Sequence, residues 1–334
     1  MKSKLFIAIL VSAMAMSAAV SAAEVNVYSE RQPALINPVL HAFTKSTGIR
    51  VNMGYLSQGM LERVKAEGAN TPADMILTAD ITSLVNHAEE GLLQPFKSSV
   101  LAENIPAQFR HPDGLWYGLT SRARVIFAHK GRVKKDEVAT YEDLASPKMK
   151  GRVCTRSGKH PYNVTLLAWM IATRGEAAAE AWARGVRANL ARKPQGNDRS
   201  QAKAIYQGEC DIAIGNTYYM GKMMTNKKDP EEMKWADAVR IIFPDQNGGG
   251  THINTSGAGV IKSVRNKAEA IKLIEFLSGE SAQKIYAEVD FEYPVKPGVK
   301  LDPIVAGWGS FKADTMSLAK IVEYGMAAPE VRDA

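Results

Sequence analysis

Three tyrosines stand where they can do metal chemistry. Tyr218 and Tyr219 follow the apolar run Cys210 to Asn216, and Tyr162 follows Arg152 to Arg156; in both segments a tyrosine falls eight residues after a cysteine, Cys154 in one and Cys210 in the other. A free phenol has a pKa of about 10 and is neutral at pH 7, so three together ionise only beside a strong cation. Ionised, they form a hard, anionic oxygen set, and ferric iron, Fe(III), fits it best. Three phenolates balance three positive charges, and a small anion fills the remaining coordination positions only if arginines compensate its charge. Arg31, at the exit of the first strand, and Arg124, at an interdomain crossing, are the candidates, because a guanidinium fork matches a carbonate-like or carboxylate-like anion. The competing reading makes the tyrosines half-buried core residues and Arg124 a surface or interdomain ion-pair residue.

The positioning elements follow from periodicity. Glu24 to Tyr28, Ile49 to Met53 and Asp74 to Thr78 read as strands, separated by helix-like Ala34 to Thr47 and Gly59 to Glu67 and followed by a helix from Ile81 to Glu90. This βαβαβ alternation implies a parallel sheet covered by helices, with Gly48 and Gly68 at helix C-termini. Leu115 to Lys130 is extended and holds a crossing strand, Arg122 to Phe127. A second alternation runs from strand Arg152 to Arg156, through helices Asn163 to Thr173, Glu176 to Leu190 and Arg199 to Tyr206, to strand Asp211 to Asn216. Strand Val239 to Pro244 is expected to continue it. Gly248 to Gly250 reads as a hinge back to a strand Thr251 to Ile261 and a helix Lys267 to Leu277 of the first domain.

On a strand, Tyr218 and Tyr219 would face opposite ways; at a helix start they lie about 100° apart. Asn216 or Thr217 is a good N-cap, and Tyr162 stands just before another candidate, Asn163. Each phenol then sits near the positive end of a helix, which favours phenolate. The architecture is two α/β domains joined by more than one crossing, with a cleft outside the carboxyl ends of the strands, able to close like a hinge.

The chain has 334 residues, and its start has the form of a secretory leader over residues 1–22: Lys2 and Lys4, an apolar stretch Leu5 to Val11, and Val20-Ser21-Ala22 as a cleavage site. No cysteine follows the apolar stretch, so lipid attachment is not expected, and export to an oxidising compartment favours a Cys154 to Cys210 disulfide over two buried thiols. Setting aside the two leader lysines reduces the formal net charge from +7 to +5, without long like-charge runs. Export makes nucleic acid an improbable partner and leaves a small anion or a partner protein as reasons for the basic surface.

Catalysis has weak support. Ser200-Gln201-Ala202-Lys203 and Ser281-Ala282-Gln283-Lys284 match the Ser-x-x-Lys pattern of some periplasmic acyl-transfer enzymes, but neither Ser-Asp-Asn nor Lys-Thr-Gly accompanies them. The six histidines are scattered, without zinc spacing, and His160 reads as a solvent-facing loop residue or a donor behind the site. The rival within binding proteins is a metal-free site for a small anion or organic ligand, with the tyrosines stacking on it.

Taken together, Tyr28-Ser29-Glu30-Arg31, Pro72 to Met75, Ser121 to Val125, Pro194 to Asp198 and Gly215 to Gly221 resemble the ferric-ion-binding proteins of bacterial ABC transporters, over essentially the whole chain past the leader. The resemblance implies a type II periplasmic binding protein fold: two α/β lobes, 23–123 with 249–299 and 124–248 with 300–334, and a hinge between them. It implies a monomer that captures Fe(III) in the cleft and delivers it to a membrane permease with its ATPase subunit. Tyr162, Tyr218 and Tyr219 match the family's tyrosine ligands. Some members also supply histidine, with or without glutamate or tyrosine, from the first lobe, where this chain has Gln32-Pro33. That departure favours a synergistic carbonate or bicarbonate, held by Arg124 with Arg31 and Gln32.

Overall fold

The computed structural model describes residues 23–325. The expected leader, 1–22, and residues 326–334 of the expected second lobe lie outside the described residues. The chain enters as β1 (Glu24–Ser29), α1 (Pro33–Thr47), β2 (Arg50–Tyr55), α2 (Met60–Glu67), β3 (Met75–Thr78) and α3 (Ile81–Glu89), followed by α4 (Ser99–Asn104) and the long β4 (Tyr117–His129). Then come β5 (Val153–Cys154), α5 (Pro161–Arg174), α6 (Glu176–Ala188), α7 (Asp198–Gln207), β6 (Ile212–Asn216), α8 (Thr217–Met224), α9 (Glu231–Ala238) and β7 (Val239–Ile242). The chain returns through β8 (Ile253–Val260), α10 (Lys267–Ser278), α11 (Glu280–Asp290), β9 (Tyr293–Pro294), α12 (Pro303–Gly307) and α13 (Leu318–Gly325).

The result is a mixed α/β protein of two lobes. Strand order runs β2-β1-β3-β8-β4-β6-β5, with β7 and β9 also paired to β4. β1 pairs parallel with β2 and β3, as the βαβ spacing requires, and β5 pairs parallel with β6. The sheet is not parallel throughout, however. β8 runs antiparallel to β3 and β4, and β7, expected to continue the parallel unit, keeps the sense of β5 and β6 but pairs only with β4, which runs antiparallel between β6 and β7. α8 and α9 carry the chain past β4, so β7 keeps the sense of β6 but lies on the other side of the antiparallel β4.

β4 joins the lobes. Tyr117 to Ala123 register against β8, and Arg124 to His129 register against β6 and β7, so one continuous strand belongs to both lobes' sheets. All but its last residue are buried, which matches a strand covered on both faces. α13 adds a further link by packing on α5 of one lobe and α3 of the other. Its Ile321 and Val322 enter the apolar cluster that holds Leu84 and Trp169.

Two glycines fix how the helices dock. Gly48 ends α1 in the left-handed region, φ 73°, where a side chain would be strained. Gly221, in α8, lies against Phe291, just past α11; a Cβ there would meet the ring at 2.3 Å. The missing side chain brings α8 close to the end of α11, where Lys222 Nζ reaches Asp290 Oδ1 at 3.3 Å.

Candidate metal centre

Both tyrosine-bearing segments begin helices. Pro161 opens α5, so Tyr162 lies inside its first turn and not before it, as the Asn163 cap reading had it. The cap is His160, whose Nδ1 accepts the Tyr162 N–H at 3.2 Å. Pro at the first helical position explains the earlier start: its fixed φ is already helical and its missing N–H is not needed there. α8 starts at Thr217 after Asn216, placing Tyr218 and Tyr219 in its first turn. Their rings stack at 4.3 Å between centroids with 28° between planes.

A disulfide joins Cys154 to Cys210. It ties the entry of β6 to β5, and the tyrosines eight residues further on meet across the ends of these strands. Tyr162 Oη and Tyr218 Oη lie 3.2 Å apart. All three phenols line one cleft of about 690 Å³, together with Arg31, Gln32 and His160. Among the described residues no three His, Cys, Asp or Glu side chains gather into a metal-binding group.

Tyr162 and Tyr218 are held neutral without a cation. Burial pushes the Tyr162 pKa up, against the nearby charge of Arg122. Burial also pushes Tyr218 well above the ordinary phenol value, and ionisation of Tyr162 or Tyr219 would push it further. His160 goes the other way: burial and then the Arg156 charge lower it to about 4, so its imidazole is neutral at pH 7 and serves as a helix cap. His160 is thus a partly buried helix cap at the cleft and not a solvent-facing loop residue.

The arginines correct the sequence reading. Arg124 is only 2% exposed and does not line the cleft. Its Nη1 donates to Asp198 Oδ2 at 2.7 Å and Asn216 Oδ1 at 3.1 Å, and its Nη2 to Asn163 Oδ1 at 2.7 Å. The expected anion anchor is therefore an internal brace that ties β4 to the starts of α5, α7 and α8. Arg31 does line the cleft, but its guanidinium is bound by Asp290 and Glu292, each at 3.0 Å, and by Ser256 Oγ at 2.7 Å. Gln32 is exposed at the cleft, and among the described residues its side chain makes no hydrogen bond.

Two arginines passed over as site residues face the cleft, Arg122 and Arg156. Arg122 is two residues before Arg124 on β4 and so shares its face, one step nearer the opening. It donates Nη1 to Ser256 Oγ at 2.8 Å and Nη2 to the Ala79 carbonyl. Arg156 commits Nη1 to Asp198 Oδ1 at 3.1 Å, and its guanidinium lies 5.1 Å from the Tyr162 ring centroid. Asp198, fully buried, is the other residue the sequence hid: it holds Arg124, Arg156 and the Asn216 N–H at 2.8 Å. The one available signal was an acid directly after Asn197 at a helix start, which reads as ordinary capping.

This geometry has relatives. A family described as bacterial extracellular solute-binding protein matches residues 70–307. Iron uptake protein A1 of Synechocystis sp. is 47% identical over 300 residues, covering 89% of this chain and 83% of its own length. Among solved structures, the apo ferric ion-binding protein A of Pasteurella haemolytica superposes with a TM-score of 0.88 at 51% identity, covering 93% of this chain and 97% of that one. A Trichodesmium protein in complex with iron and citrate gives 0.88 at 42% identity, covering 93% and 98%. These relatives are transport proteins, not enzymes. The chain belongs to the bacterial extracellular solute-binding protein family.

Proposed function

We propose that this protein captures Fe(III) in its interdomain cleft through the phenolates of Tyr162, Tyr218 and Tyr219 and hands it to an ABC permease with its ATPase subunit. The observation that carries the reading is the convergence of three phenols at the first turns of two helices, with two oxygens 3.2 Å apart. Buried phenols at that spacing repel once ionised, and a trivalent cation is what reverses the balance. The helix N-termini add partial positive charge that lowers the cost of the phenolates. The iron-uptake name of the relative at 47% identity and the ferric name of the structure at 51% support the same cargo, and family membership supports a periplasmic site of action.

A small anion completes the coordination sphere in this reading. Arg156 and Arg122, with Arg31 and Gln32 at the rim, line the cleft beside the phenols. Carbonate or bicarbonate is the proposed anion; the citrate named for the Trichodesmium complex makes a carboxylate the second choice. Residues 23–123 with 249–299 then move as one lobe against 124–248 with 300–334, and the protein works as a monomer. The test is titration of stripped protein with ferric citrate, with and without bicarbonate. A visible phenolate-to-iron band saturating at one iron per chain is expected; a colourless protein that retains no iron overturns the proposal.

A further inference from the structure

A second cavity, of about 630 Å³, opens on the other side of the segment that carries Tyr162. Its lining shares no residue with the cleft. The floor is apolar: Leu166 and Leu167 from α5, Trp182 and Val186 from α6, then Leu190 and, from β6, Ile214. Trp182 and Val186 are four residues apart and share a helix face, which would ordinarily be core. Here both belong to the buried apolar cluster, and the edge that they leave open bounds a space large enough for a molecule of drug-like size.

The rim has one sign of charge. Lys159, Arg184, Arg187, Arg192 and Lys193 line the opening, and no aspartate or glutamate does. Arg184 is answered by Glu180 and Arg192 by Glu209. Among the described residues, Lys159, Arg187 and Lys193 have no acidic partner within 4.0 Å, and all three are exposed. The Trp182 Nε1–H is already given to the Tyr141 carbonyl at 2.7 Å, so the floor offers the occupant contact area without that donor. An apolar pocket beneath a ring of unanswered cations focuses a positive potential at its mouth. We propose that this cavity is a second binding site, for a small amphiphilic organic anion: an apolar body on the floor and one carboxylate or sulfonate head at the rim.

The test uses stripped full-length protein, so it does not depend on iron. The probe is 1-anilinonaphthalene-8-sulfonate, with decanoate, decanol and hexaglutamate as competitors. One saturable, blue-shifted fluorescent site per chain is expected, displaced by decanoate and not by decanol or hexaglutamate. Arg187→Glu with Lys193→Glu, both at exposed positions, should weaken probe and decanoate by roughly tenfold or more. Ala183→Trp, which fills the cavity from its wall, should abolish the signal, and ferric titration should be unchanged in both variants. Displacement by decanol as strong as by decanoate, or affinity unchanged by the charge reversals, overturns the proposal. Equal displacement by hexaglutamate overturns it in favour of docking by an acidic protein segment.

Discussion

The phenolic oxygens of Tyr162 and Tyr218 lie 3.2 Å apart although 56 residues separate them, the same separation as the disulfide-linked Cys154 and Cys210. β5 and β6 are parallel neighbours in which Cys154 pairs with Ala213, not with Cys210, and past them both chains turn into a helix at the same end of the sheet. The parallel pairing puts the two helix starts side by side, and the phenols meet there.

Removing a phenol oxygen should remove a ligand with little loss of fold. Tyr162→Phe, Tyr218→Phe and Tyr219→Phe are each expected to weaken iron retention by at least about 100-fold, more than is usual for a residue that only supports a ligand. Unfolding free energy in urea should change by no more than about 1 kcal/mol, since a half-buried hydroxyl with one hydrogen-bond partner contributes little. Competition against a ferric chelator measures the first and urea titration the second. Undiminished retention in any variant removes that tyrosine from the ligand set.

Proton release should count the phenolates. Tyr162 and Tyr218 have raised pKa values in the metal-free protein because they are buried, so their protons leave only when the cation arrives. About three protons per iron are expected at pH 7 in weakly buffered solution, after subtracting those released by the ferric donor itself. The sign follows: lowering the pH restores protons to the phenols, so retention must fall on acidification. A stoichiometry near zero would mean that the phenols stay neutral and the cargo is held otherwise.

Arg124 and Arg156 should fail differently. Arg124→Ala leaves the fully buried Asp198 with only Arg156 to answer its charge. Removing one partner of such a buried pair costs about 3 to 5 kcal/mol, so urea denaturation should show a large loss of stability. Arg156→Ala leaves the shorter Arg124 bond intact and faces the cleft, so its main effect should be a weaker response of iron binding to added bicarbonate. A bicarbonate effect confined to Arg124→Ala would return the anion to the sequence-based assignment.

His252 should make the fold acid-sensitive. It is 1% exposed, its Nδ1 has no partner among the described residues, and burial, then Arg124 and Arg122, lower its pKa to about 3. The folded value lies below the unfolded value near 6.5, so its contribution is complete above pH 6.5 and is lost as pH falls toward 3. At pH 4.5 the loss is about 3 kcal/mol, from two pH units at roughly 1.4 kcal/mol each. Asp290 and Asp245, each raised to about 6 chiefly by burial, act in the opposite sense, so the difference between native protein and His252→Gln isolates the histidine. Urea titrations from pH 7.5 to 4.5 should show a shallower slope in the variant; equal slopes would mean that His252 is not held neutral.

Much of this molecule was legible in its sequence because the signals are local. Two-residue and 3.6-residue periodicities delimited β1 to β3 and α1 to α3 to within a few residues, and the switch from apolar strand to N-cap put Tyr218 and Tyr219 in a first helical turn. The offset from cysteine to tyrosine tied the Tyr162 segment to the same level. The alternation also implied two α/β lobes and a cleft, although not that β4 would insert antiparallel between β6 and β7 or that α13 would bridge the lobes.

Charge partners were decided only in three dimensions. Arg122, Arg124 and Arg156 look alike in the sequence, and nothing local says that Asp198, 74 residues from Arg124, is the acid that claims it. A strand's alternation puts Arg122 and Arg124 on one face, but depth in the fold decides which is walled in by Asp198, Asn216 and Asn163 and which reaches the cleft. A guanidinium goes where a buried carboxylate must be neutralised, and burial is a property of packed elements, not of neighbouring letters.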